Sequence, residues 1–158
     1  MAGPRSDKPA VLYAFEEQAD LGRRIARRLG WSFRAIELTY FPDGESLVRL
    51  KGPPGARPAA VLRSLDDPNR KLLETVMALE TVQREGATRR TLVAPYVGYM
   101  RQDAVFRPGE ALSQAVVGKL LGRAAERIVT VNAHLHRVSN LWAVFRRPGS
   151  NIHAAGLF

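Results

Sequence analysis

The 158-residue chain carries 24 Lys and Arg against 15 Asp and Glu, a formal net charge of +9, and 46% of its residues are hydrophobic. That balance excludes wholesale disorder and gives one ordinary domain the apolar mass for a core, and no apolar run approaches the roughly 18–20 residues that cross a bilayer. Zero cysteines exclude disulfides, thiolate chemistry and Cys-ligated zinc.

Residues 1–9 have positive charge but no apolar stretch of signal-peptide length. They are expected to be a flexible segment on a cytoplasmic protein. Ala10-Val11-Leu12-Tyr13-Ala14-Phe15 suits a buried strand, and Leu21, Ile25 and Leu29, spaced by four, mark a helix that Gly30 can end with a left-handed cap. Ser32 to Thr39 alternates as a second strand, Tyr40-Phe41-Pro42-Asp43-Gly44-Glu45 turns, and Ser46 to Lys51 alternates again. These two strands read as a hairpin excursion near residues 38–51.

Gly52-Pro53-Pro54-Gly55 breaks the chain before a buried strand at Ala59-Ala60-Val61-Leu62. Asp66-Asp67-Pro68-Asn69 offers capping groups to a helix marked by Leu72, Leu73, Val76, Met77 and Leu79 and closed by Gly86. Strand Thr91-Leu92-Val93-Ala94 leads into a polar loop from Pro95 to Glu110, and Leu112, Val116, Val117, Leu120 and Leu121 mark the next helix. Strand Arg127 to Val131 then delivers Asn132-Ala133-His134. The nine residues after Gly149 are too few for another structural unit. Strands alternating with helices predict an α/β fold with a mostly parallel sheet flanked by helices, in one domain over 10–158. Ligands bind such sheets at the carboxyl ends of the strands, which directs attention to loops 95–110 and 132–137.

Charge is uneven: residues 1–85 hold 14 basic and 12 acidic side chains, and residues 86–158 hold 10 and 3. The second half is the one expected to meet anions. The loop Pro95-Tyr96-Val97-Gly98-Tyr99-Met100-Arg101-Gln102-Asp103 concentrates aromatic, cationic, amide and carboxylate groups. A guanidinium can stack on a purine or fork onto phosphate oxygens, an amide can read a base or ribose edge, and a carboxylate can orient either. Taken alone, Arg101 and Asp103 could equally pair with neighbours. At the hairpin tip, Asp43 and Glu45 flank Gly44 as in many simple turns, and Phe41 adds an aromatic that can stack on a base or dock on another subunit. His134 and His136 are spaced to point the same way from an extended segment, which suits a divalent metal, a phosphate or an ordinary structural hydrogen bond. Walker-type, dinucleotide-binding and nucleophile-elbow motifs are all missing from the sequence.

In this order, Phe41-Pro42-Asp43-Gly44-Glu45, Tyr99-Met100-Arg101-Gln102-Asp103 with Pro108-Gly109-Glu110-Ala111, and His134-Leu135-His136-Arg137 resemble the N-terminal domain of ribose-phosphate pyrophosphokinase, also called phosphoribosyl pyrophosphate synthetase. The resemblance runs from about Val11 to the end. It implies a phosphoribosyltransferase-like fold, a second similar domain not found in these residues, and a magnesium-dependent transfer of the β,γ-diphosphoryl group of ATP to ribose 5-phosphate. By resemblance, Phe41, Asp43 and Glu45 reach the ATP of a neighbouring subunit, and Arg101 and Gln102 hold ATP within their own. Asp103 supports them, His134 ligates Mg2+, and the chain forms a homo-oligomer with a shared site. Two features depart from the family pattern. Asn132 stands where an Asp is usual, weakening support for the cation, and Ala133 where Pro is common. The family's ribose-phosphate loop, an acidic pair before a Thr- and Gly-rich turn, has no counterpart here, because Asp66-Asp67 runs into Pro68-Asn69-Arg70.

The chain is therefore expected to be inactive or weak alone, and to engage ribose 5-phosphate only with a second domain. The alternative is a catalytically silent nucleotide-binding or synthetase-associated regulatory subunit, which Asn132 favours. A basic nucleic-acid-binding domain ranks third, because the ordered motifs explain the arginines better than a diffuse patch does. No membrane partner is expected.

Overall fold

A computed structural model describes residues 9–133, 135, 137 and 140–153, so all but Pro9 of the expected flexible segment lies outside the described residues. The strands are β1 (Val11–Phe15), β2 (Ser32–Tyr40), β3 (Ser46–Leu50), β4 (Pro58–Leu62), β5 (Arg89–Ala94), β6 (Arg127–Val131) and β7 (Gly149–Ile152). The helices are α1 (Ala19–Leu29), α2 (Pro68–Arg84), α3 (Ser113–Ala124) and α4 (Leu141–Phe145). One sheet runs β3-β2-β1-β4-β5-β6-β7, parallel throughout except for the antiparallel β2–β3 hairpin.

Strand β1 is buried along its whole length because both of its faces are covered. Its Val11, Tyr13 and Phe15 join the larger core with residues of α2, α3 and α4, while Leu12 and Ala14 face the smaller core around Ala26 of α1. The spacing of Leu21, Ile25 and Leu29 places helix α1 correctly but not its buried face. Leu21 and Leu29 are exposed, and the helix rests on Ala19, Gly22 and Ala26. A methyl at Gly22 would crowd Phe33 and Ala14, so small residues are what let this helix lie close to the sheet.

Two further expectations are corrected. Asp67 precedes α2 in the left-handed region, with φ 47°, and its side chain makes no capping bond. Helix α2 instead starts on Pro68, whose missing N–H costs nothing there, and Asp66 is paired with Lys71 at 3.0 Å. The residues after Pro148 do form an element: the short α4 turns the chain so that β7 can pair parallel with β6. Gly118 and Gly122 allow α3 to meet the Val144 and Phe145 carbonyls, which leaves no room for a side chain.

Tyr13 is fully buried and donates a hydrogen bond to the Gly52 carbonyl at 2.9 Å. Burial raises its pKa above the ordinary tyrosine value, against the opposing pull of Arg34 and Arg57. The folded chain thus retains this proton to higher pH than the unfolded chain does. Its stabilising effect is complete below about pH 10 and is lost as pH rises through the raised value. Tyr13→Phe is expected to lower stability near neutrality by about 1 kcal/mol and to flatten its decline above pH 10, as read by denaturant titrations across that range.

Candidate functional site

The carboxyl edge of the sheet carries residues 16–18 after β1, 41–45 after β2, 63–67 after β4, 95–112 after β5 and 132–133 after β6. Strand order reverses between β1 and β4, where an open α/β sheet normally offers a crevice for ligand. Here the protein fills it. Arg63, 2% exposed, lies over the Phe15 ring at 3.8 Å and donates to Glu17 at 2.8 Å and to Glu74 at 2.7 Å.

The loop after β5 is anchored on both sides of Arg101. Val97 bridges to Leu65, and Gly98 sits against the Leu65 carbonyl and Pro68 with no space for a Cβ. Tyr99 takes a φ of 65°, unusual for a bulky residue, and its hydroxyl donates to Asn69 Oδ1 on the first turn of α2. Met100 is buried, and its carbonyl accepts from the buried Gln114 amide at 3.1 Å. Between these anchors Arg101 is exposed and has no ion-pair partner among the described residues. Gln102 is half-buried and spends one donor on the Ala104 carbonyl at 3.2 Å.

Asp103 joins this loop to the segment after β6. Its side chain is 1% exposed, and Oδ1 accepts from Arg137 at 2.6 Å. The Arg137 guanidinium also lies 5.5 Å from the centre of the Phe106 ring. Asp103 Oδ2 is buried and has no hydrogen-bond partner among the described residues. The two loops singled out from the sequence are thus brought together.

The hairpin tip is not part of that cluster. Its turn is closed by Phe41 N–H to the Glu45 carbonyl and Gly44 N–H to the Phe41 carbonyl, both 2.9 Å, with Gly44 at φ 90°. Asp43 Oδ1 accepts from the Glu45 amide at 3.2 Å, and Phe41 is exposed. β2 and β5 are three strands apart, about 14 Å from strand to strand. Helix α2 braces both regions: Asn69 holds Tyr99, Arg70 lies 4.7 Å from the centre of the Tyr40 ring, and Glu74 accepts from Ser46 at 2.7 Å.

His134 and His136 lie outside the described residues. Before them, Asn132 has a φ of 45°, and the Ala133 amide donates to Asn151 Oδ1 at 2.9 Å, so β7 supports this turn. Among the described residues no three His, Asp or Glu side chains gather into a metal cluster. Asp103 Oδ2 nevertheless has the oxygen chemistry that magnesium takes, and magnesium in nucleotide sites is usually held by one or two carboxylates plus phosphates.

Reading the sequence missed Arg63, Glu74, Ser46 and Asn69. One signal was present: Glu74 falls on the same stripe as Ala78 and Val82, four and eight residues on, where an apolar residue is expected. A charge there requires a buried partner, and Arg63 directly follows the apolar run of β4.

Residues 10–125 match the family described as the N-terminal domain of ribose phosphate pyrophosphokinase. A ribose-phosphate pyrophosphokinase of Methanopyrus kandleri is 32% identical over 92% of this chain and 49% of its own length. Ribose-phosphate pyrophosphokinase 2 of Archaeoglobus fulgidus is 37% identical over 72% of this chain and 38% of its own. The crystal structure of phosphoribosylpyrophosphate synthetase from Mycobacterium smegmatis superposes with a TM-score of 0.83 at 30% identity, covering 95% of this chain and 50% of that one. The chain spans about half the length, or less, of these relatives. Among the described residues no helix is long and apolar enough to cross a membrane.

Proposed function

The chain belongs to the family of the ribose-phosphate pyrophosphokinase N-terminal domain, and on that footing we propose that it supplies the ATP-holding half of a diphosphotransferase site. The observation that carries the reading is Arg101, an exposed guanidinium without an ion-pair partner among the described residues on a loop otherwise fixed in place. Such a group is set out for an anion, and a guanidinium forks onto phosphate oxygens or stacks on a base. Gln102 reads the sugar or base beside it, and Asp103 holds the Arg137 segment alongside.

In the family's reaction the anomeric hydroxyl oxygen of ribose 5-phosphate attacks the β-phosphorus of ATP. The bond from that phosphorus to the α,β-bridging oxygen breaks, AMP leaves and the hydroxyl proton is released. Magnesium, when bound, neutralises triphosphate charge, and His134 and Asp103 are the residues that would meet it. The chain's own contribution is positioning: it fixes the nucleotide so that its β-phosphorus faces the acceptor. Ribose 5-phosphate recognition belongs to the family's second domain, so these 158 residues by themselves are proposed to turn over slowly or not at all. The placement of the hairpin three strands away from the strand that carries the Arg101 loop supports a homo-oligomer in which Phe41, Asp43 and Glu45 complete a neighbour's site. A cytoplasmic location belongs to the same proposal, because ATP is available there.

Calorimetric titration with Mg-ATP, followed by an assay of AMP release with ribose 5-phosphate, tests this reading. Saturable binding with little or no AMP is expected. Absence of binding at millimolar Mg-ATP contradicts it. Asn132, replacing the usual carboxylate, favours a second reading in which the chain binds nucleotide but only regulates a full-length synthetase; co-purification with such an enzyme, and a change in that enzyme's AMP release when the chain is added, separate the two.

A further inference from the structure

We propose that Ser46, Glu74 and Arg63, together with Arg70, are positioning residues that aim the 41–45 loop. This inference rests on the nucleotide reading of that loop. A five-residue exposed turn has little of its own to fix its direction, since its internal bonds close the turn without orienting it. The orientation comes from its two flanks. Tyr40 and Ser46 are paired across the hairpin, and both are taken by one helix: Arg70 covers the Tyr40 ring, and Glu74, one turn later, accepts from Ser46 at 2.7 Å. Glu74 is 1% exposed and would be poorly tolerated there as a lone charge. Arg63 at 2.7 Å neutralises it and is itself held by Glu17 and by stacking on Phe15. The loop is therefore referenced, through two charge-assisted bonds, to the ends of the central strands β1 and β4. The same helix holds Tyr99 through Asn69, so α2 sets the hairpin and the Arg101 loop against a common support.

Ser46→Ala removes the link while leaving the Arg63–Glu74 pair, and Ser46→Thr keeps a hydroxyl. Arg70→Ala, at an exposed position, releases the other flank and removes a 3.8 Å ion pair to Glu74, while leaving the 2.7 Å Arg63–Glu74 pair in place. Hydrogen exchange resolved by segment, together with Mg-ATP titration, reads the outcome. Amides of residues 40–46 are expected to exchange at least tenfold faster in Ser46→Ala, while those of β1 keep their protection; Ser46→Thr restores the original rates, and Arg70→Ala shows a smaller effect confined to the same segment. Mg-ATP affinity is expected to fall at least threefold in Ser46→Ala and to recover in Ser46→Thr. Unchanged exchange at 40–46, or acceleration spread equally over β1, overturns the proposal, as does a loosened loop whose chain binds Mg-ATP unaltered. If the unsubstituted chain binds no Mg-ATP, the nucleotide reading fails, and the exchange contrast alone then decides whether these residues aim the loop.

Discussion

Glu74→Ala is expected to lower folding stability by about 3–5 kcal/mol, the range for removing one partner of a buried ion pair. The loss of the carboxylate leaves Arg63, also nearly inaccessible, with the half-exposed Glu17 as its one remaining ion-pair partner among the described residues, and Ser46 without its acceptor. Much of the cost is a buried guanidinium that keeps only one of its two carboxylates, rather than the intrinsic worth of the pair. For that reason Arg63→Met/Glu74→Leu is expected to recover most of the loss, since apolar replacements of similar volume carry no desolvation penalty. The contrast is Asp20–Arg23 on α1, where the carboxylate is 97% exposed and Asp20→Ala should change stability by less than about 1 kcal/mol. Denaturant titration of the four proteins checks the series. A single Glu74→Ala loss below about 1 kcal/mol would show that the buried pair is not an anchor.

The second large effect concerns ligand rather than fold. Arg101→Ala with Gln102→Ala is expected to weaken Mg-ATP binding by at least tenfold to a hundredfold, about 1.5–3 kcal/mol for charge-assisted and neutral bonds to a bound nucleotide. Stability should hardly move, because Arg101 is exposed and unpaired among the described residues, and Gln102 spends only one donor on a local carbonyl. Paired calorimetric and melting curves separate these expectations. A parallel loss of melting temperature would make the two residues structural.

The alternation that announced an α/β sheet was legible because it depends on short range chemistry: apolar strand runs, Gly30 and Gly86 as helix ends, and the Asp-Gly turn of the hairpin. The orientation of α1 was not, since its packing depends on the smallness of Gly22 and Ala26 and no periodicity of large apolar residues reports that. β7 was missed because four residues make a strand only when a neighbouring edge is free, which is a property of β6 and not of the segment itself. For the site, the residue types in 99–103 stood out at once. The ion pair from Asp103 to Arg137 crosses 34 positions and is visible only after folding. Arg63, Glu74 and Ser46 are far apart in sequence for the same reason, although Glu74 on a buried stripe was a readable sign that one polar partner was needed.

The most direct test of a nucleotide site shared between copies is a mixing titration. One variant, Phe41→Ala/Asp43→Ala/Glu45→Ala, lacks the hairpin contacts; the other, Arg101→Ala/Gln102→Ala, lacks the cradle. Each alone is expected to bind Mg-ATP at least tenfold more weakly than the unsubstituted chain. In an equimolar mixture, an interface between unlike copies rebuilds one intact site from the undamaged half of each, so a fraction of sites should regain the original affinity. A mixture that binds no better than its two components, while size-exclusion chromatography shows that unlike copies do associate, would contradict a shared site.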